Sequence, residues 1–162
     1  MTDLKLLALD TDDLSIISAH MQDAVFKAGD LSFAPRPGLF SLTVNRFVWE
    51  KAARASKSFE RRRAALSFKR VEAVRYERHR AVLGFKRVSA VRSIGFDRSG
   101  ADEVLSLLAI RFVAKGEGPD GVIELVLSGS GMIALEVECI EAQLADTGGA
   151  WGTASLPDHK AD

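Results

Sequence analysis

Cysteine is nearly missing from this chain: Cys139 stands alone among 162 residues, so no internal disulfide can form and no thiolate-rich metal site can be built. Long apolar runs are missing too. Stretches such as Leu107-Leu108-Ala109-Ile110 are far too short to cross a bilayer, and Met1-Thr2-Asp3 opens without a basic leader ahead of an apolar segment. The expectation is a cytoplasmic protein with no membrane contact. No metal-ligand spacing, nucleotide-binding loop or nucleophile motif stands out, so no metal and no cofactor is expected. Net charge is also absent, with 22 Lys and Arg against 22 Asp and Glu.

What is present is ordinary in amount and unusual in arrangement. Hydrophobic residues at 47% and charged residues at 27% suit one globular domain, expected over residues 1–150 with a flexible tail at 151–162. The cations are concentrated. Residues 51–92 hold 14 of the 22 Lys and Arg and only Glu60, Glu72 and Glu77, a local charge of +11 that the rest of the chain balances with −11. Two blocks of opposite sign either lie against each other or present a basic face to an anionic partner.

Local patterns predict mixed secondary structure. Leu4–Leu9 reads as a strand, and Asp10-Thr11-Asp12-Asp13 as a helix start whose carboxylates favour the positive end of the helix dipole. Leu14, Ile17, Met21, Ala24 and Val25 follow at helical spacing, predicting an amphipathic helix over 12–25. Leu31–Phe33 and Leu39–Val44 read as a hairpin around Pro35-Arg36-Pro37-Gly38, the second strand running on through Asn45-Arg46-Phe47-Val48-Trp49. Residues 51–60 are taken as a polar connection. Later, Val104–Val113 predicts a buried strand, 115–121 a loop, and Val122–Leu127 with Met132–Val137 a hairpin turned by Ser128-Gly129-Ser130-Gly131. Ile140 and Leu144, four apart and followed by Thr147-Gly148-Gly149, predict a short helix over Glu138–Asp146.

The middle of the chain repeats itself. Residues 61–77 and 78–94 align at an offset of 17 with 11 of 17 positions identical. One pair of repeats is too short for a solenoid, so a local tandem duplication is the simpler account. Each copy carries Leu-x-Phe-x-x-Val-x-x-Val, which predicts strand, a kink at Lys69-Arg70 or its counterpart, then strand. Two such units compete for one place in a sheet. One copy must bulge out, add an edge strand or swap into another protomer, and deleting 78–94 should leave a folded, more stable monomer.

The opening Leu-Lys-Leu-Leu-Ala-Leu-Asp, residues 18–24, Asn45-Arg46-Phe47 with Trp49, residues 105–109, and residues 135–142 with Leu144 and Asp146 resemble an uncharacterised bacterial family, the domain of unknown function 2948 family. The resemblance spans nearly the whole chain and implies no activity or catalytic residue. In that family the Arg-rich segment occurs once, so the second copy is a departure. The element order also looks like that of pleckstrin-homology-like domains, a small antiparallel barrel closed by a helix. The expected fold class is therefore α+β, an antiparallel sheet or small barrel with N-terminal and C-terminal helices.

Three sets of residues could carry chemistry. His20 and Asp23, on neighbouring helical turns, could pair imidazole with carboxylate for proton transfer, or form a plain surface pair. Cys139 lies among Glu136, Glu138 and Glu141, a setting that disfavours thiolate and fits packing better than catalysis. The basic segment interleaves cations with Phe68, Tyr76 and Phe85, the combination used on single-stranded nucleic acid, although the same alternation suits a half-buried strand. The leading expectation is a non-catalytic interaction or regulatory module with a protein partner, and a homo-oligomer formed by strand exchange as a further possibility. The alternatives are nucleic-acid binding by Arg61, Arg62, Arg63, Lys69, Arg70, Arg78, Arg80, Lys86 and Arg87, and an enzyme built on His20 and Asp23.

Overall fold

A computed structural model describes residues 4–47, 76–96 and 100–153. Among these residues short apolar segments pair into ten antiparallel strands, with one α-helix. The strands are β1 (Lys5–Ala8), β2 (Val25–Lys27), β3 (Leu31–Ala34), β4 (Leu39–Phe47), β5 (Tyr76–Phe85), β6 (Val88–Ile94), β7 (Val104–Ala114), β8 (Gly121–Leu127), β9 (Met132–Val137) and β10 (Ala142–Thr153); the helix α1 is Thr11–Met21. The strand order is β1-β10-β5-β4-β2-β7-β8-β9-β6, with β3 on β4, so the sheet is open and ends at β1 and β6.

The helix starts where its caps demand. The Asp10 side chain accepts from the Asp13 amide at 2.8 Å, and Asp12 and Asp13 sit in the positively polarised first turn. Leu14, Ile17 and Met21 face the core, and α1 packs on β7 and β1. The helix ends four residues before the sequence pattern does. Asp23 adopts φ 62 and donates its amide to the Leu107 carbonyl at 2.7 Å, so Ala24 is buried beyond the helix rather than on its face. Asp is one of the few non-glycine residues that enters this left-handed region at low cost.

The second half of the repeat settles the strand or helix question for copy two. Residues 76–85 form β5, Lys86-Arg87 turn with Arg87 at φ 61, and 88–94 form β6. The inward residues His79, Ala81, Leu83 and Phe85 alternate along β5. β5 lies between β4 and β10, while β6 pairs with β9 at the far end of the path. The turn is therefore a corner. Lys86 donates to the Glu141 carbonyl at 2.9 Å, and Glu138 donates to the Arg87 carbonyl at 3.0 Å, so the β9–β10 connection bends beside it. Residues 61–75 of copy one, and Val48 and Trp49 of the expected β4 extension, lie outside the described residues, as do 51–60.

The expected C-terminal helix is not there. Residues 138–141 make the corner and 142–153 are β10, hydrogen-bonded to β1 and β5. Ile140, Ala142, Leu144 and Asp146 are all buried, a period of two. An i, i+4 apolar pair is shared by a helix face and by alternate residues of a strand, and Ala142 between them decides for the strand. Without that helix the pleckstrin-homology-like arrangement loses its closing element. Apolar side chains from β4, β5, β7, β8, β9, β10 and α1 join in a single hydrophobic cluster.

Candidate functional site

Three neighbouring strands end their inward apolar rows on a polar residue. On β4 the row is Phe40, Leu42, Val44, then Arg46; on β5 it is Phe85, Leu83, Ala81, then His79; on β10 it is Ala142, Leu144, then Asp146. Register brings these ends together, because Arg46 pairs with His79 across β4–β5 and Asp146 with Ala81 across β5–β10. Arg46 Nε donates to Asp146 Oδ1 at 2.8 Å and Nη2 to Oδ2 at 3.0 Å, a two-pronged contact that only a guanidinium makes. His79 Nδ1 lies 3.0 Å from Oδ2, and the Leu4 amide donates to the same oxygen at 3.0 Å. Against an ionised carboxylate Nδ1 must be the protonated nitrogen.

The carboxylate is ionised for a reason that can be resolved. Burial pushes the Asp146 carboxyl up, but hydrogen bonds from Arg46, His79 and the Leu4 amide, with the Arg46 charge, outweigh it and hold the pKa at about 2. The Arg46, His79 and Asp146 side chains are 1%, 4% and 0% exposed. A carboxylate-oriented imidazole is the arrangement of an acid–base pair, and here all three side chains are buried. The cluster's evident effect is to tie β4, β5, β10 and the start of β1 into one unit, the Asp146 amide also donating to the Leu4 carbonyl at 3.0 Å.

Two openings lie on the outer side of the same strands. Gly84 sits in a row with Leu7, Gln143 and Ser41 on successive strands, and Leu7, Leu39 and Gly84 line a hollow of about 60 Å³ rimmed by Lys86, Glu141 and Gln143. Leu7 is 60% and Leu39 38% exposed there. Where the three-residue β2 bridges β4 and β7, an open groove of about 390 Å³ is lined by Lys27, Asp30, Thr43, Asn45 and Arg80 among others.

Of the expected basic face, Arg80, Lys86 and Arg87 have described side chains. Arg61, Arg62, Arg63, Lys69 and Arg70 lie outside the described residues, and of Arg78 only the strand backbone is described. Arg80 is exposed beside the groove. Lys86 reaches Glu141 at 3.7 Å, and Arg87 reaches Glu141 at 3.7 Å and Glu138 at 4.0 Å, all on exposed cations. His20 is half-buried on the last turn of α1 and Asp23 lies beyond the helix end, so helical spacing does not set their geometry. Cys139 is half-buried in the β9–β10 corner rather than in a helix. Among the described residues no group of three or more His, Cys, Asp and Glu side chains is placed to hold a metal, and no helix is long and apolar enough to cross a membrane.

Sequence reasoning passed over Arg46, His79 and Asp146 as a group. The signal was available in parity: Arg46 stands two residues beyond Val44 and Asp146 two beyond Leu144, both in inward register. An ionisable residue in an inward strand position needs a partner, and each of the two supplies the other's.

Fold and cluster together define a helix-braced, open antiparallel-sheet domain pinned at one end by a buried Arg–Asp–His group. The chain belongs to the family described as Protein of unknown function (DUF2948), which matches residues 4–78 and again residues 73–159. The first match takes in copy one and the second takes in copy two, and they overlap only at the junction between the copies. No curated protein and no solved structure matches the chain.

Proposed function

We propose that the protein is a non-catalytic interaction module whose partner is another polypeptide, engaged at the hollow over Gly84. The observation that carries this reading is the pair of exposed leucines, Leu7 and Leu39, flanking Gly84. Such a hollow accepts the end of one apolar side chain. Its rim carries both a cation, Lys86, and an anion, Glu141, which suits a mixed-charge polypeptide and disfavours a polyanion. The buried Arg46–Asp146–His79 group then serves as the rigid support behind this face. Residues 1–150 act as one domain in this reading, and the duplicated segment contributes its second copy to the face.

The test is affinity capture from a lysate of the source cells, with and without nuclease, using the parent protein, Leu7→Asp/Leu39→Asp and Lys27→Glu/Arg80→Glu. The expected result is a nuclease-resistant, stoichiometric protein partner lost with the leucine variant and kept with the charge variant. Capture that nuclease abolishes, that falls steeply with salt and that the Lys27→Glu/Arg80→Glu variant loses would instead establish nucleic-acid binding at the groove.

A further inference from the structure

The place in the sheet that copy two fills is built from residues that copy one also has. Within 78–94 the fully buried apolar side chains are Ala81, Leu83, Phe85 and Val88. Seventeen residues earlier stand Ala64, Leu66, Phe68 and Val71, identical at every one of these positions. The corner is matched as well. Lys86-Arg87, with Arg87 in the left-handed region and both side chains reaching Glu138 or Glu141, corresponds to Lys69-Arg70. The likeness even extends upstream of the repeat, since Tyr76-Glu77 at the start of β5 corresponds to Phe59-Glu60.

We propose that this slot is degenerate: residues 59–77 of the same chain can replace 76–94 in it, slipping the chain by 17 residues while keeping the fold. A slip of this length preserves strand parity because the whole strand–corner–strand unit is exchanged, so no inward side chain turns outward. Nor do the connections decide between the two arrangements. With copy two in place, 28 residues join β4 to β5 and 9 join β6 to β7; with copy one the numbers become 11 and 26. Loop-closure entropy depends on the logarithm of each length, so the two arrangements differ by only about 1.2-fold.

What separates the copies is local. Where His79 donates to Asp146, copy one offers Arg62, which would set a second guanidinium on a carboxylate already gripped by Arg46. That excess buried cation favours copy two, the occupant in the structure. At Gly84 copy one offers Ser67, and a side chain there finds its nearest neighbour, Leu39 Cδ1, at 4.0 Å, so it fits. Exchange would therefore change the charge at the buried cluster and the floor of the outer hollow together. The proposal stands without the interaction reading, because it concerns only which residues fill the sheet.

The test uses the full chain. Leu83→Asp places a carboxylate at a fully buried position of copy two, and Leu66→Asp does the same to copy one. Leu83→Asp should remain folded, by far-UV circular dichroism and a cooperative thermal melt, and should elute as the parent does. Leu83→Asp in a chain lacking residues 61–77 should unfold, because no replacement is left. Loss of structure in the full-length Leu83→Asp protein overturns the proposal. So does a folded Leu83→Asp protein without copy one, which would mean no rescue was needed, and so does folding only as a larger species, which would place the replacement strand in a second chain. The double variant Leu66→Asp/Leu83→Asp should unfold, and its survival would equally contradict the exchange.

Discussion

Asp146 joins Arg46, His79 and the Leu4 amide through one buried carboxylate. Its pKa is depressed from an ordinary 3.8 to about 2, so the folded state holds this carboxylate charged where the unfolded chain takes up a proton. The associated stability, roughly 2 kcal/mol, is complete above about pH 4 and lost as pH falls toward 2. Denaturant midpoints should thus drop for the parent between pH 5 and pH 2 by more than for Asp146→Asn. At neutral pH Asp146→Asn should itself cost about 3–5 kcal/mol, since the buried Arg46 would lose its two-pronged ionic contact to this carboxylate. Replacing both partners, Arg46→Met with Asp146→Leu, should cost less than either single change, and a double-mutant cycle on urea midpoints measures the difference. Only part of this was legible beforehand. The alternation along β4 placed Arg46 inward, but its partner comes from a segment 100 residues away whose own secondary structure was misread.

At the level of elements, the caps and turns were the dependable signals. Asp10 starts α1, and Gly38 at φ 69 turns β3 into β4. Gly38 also admits the corner strand: a Cβ there would lie 2.9 Å from the Val88 carbonyl oxygen, whose amide donates to Gly38 O at 2.9 Å. Gly38→Ala should therefore destabilise by about 1–3 kcal/mol through both backbone strain and the clash, as thermal melts would register. Gly84→Ser is the contrasting case, with no positive φ and open space, and should alter stability by under about 1 kcal/mol. Spacing failed where two periods share the same residues. Ile140 and Leu144 fit a helix and a strand equally, and Asp146, polar yet inward, hid the alternation that Ala142 supports. Ala24 and Val25 extended a helical pattern past the point where Asp23 reverses the backbone.

Across the whole molecule, the class of fold was readable and the sheet order was not. Turn residues and apolar runs announce an antiparallel sheet with a helix after its first strand. The order β1-β10-β5-β4-β2-β7-β8-β9-β6 depends on pairings between distant segments, such as β1 with β10, that local patterns do not encode. The repeat was plain in the sequence, yet its meaning depends on a single place in that sheet between β4, β10 and β9. If either copy fills that place, each single-copy chain is a complete protein. Amide proton–nitrogen correlation spectra of chains lacking 61–77 or 78–94 test this most directly. The account predicts two dispersed spectra that superimpose except near Asp146, where Arg62 stands in for His79, and around the other positions at which the copies differ, 82, 84, 89, 93 and 94; a collapsed spectrum for the chain lacking 78–94 would contradict it.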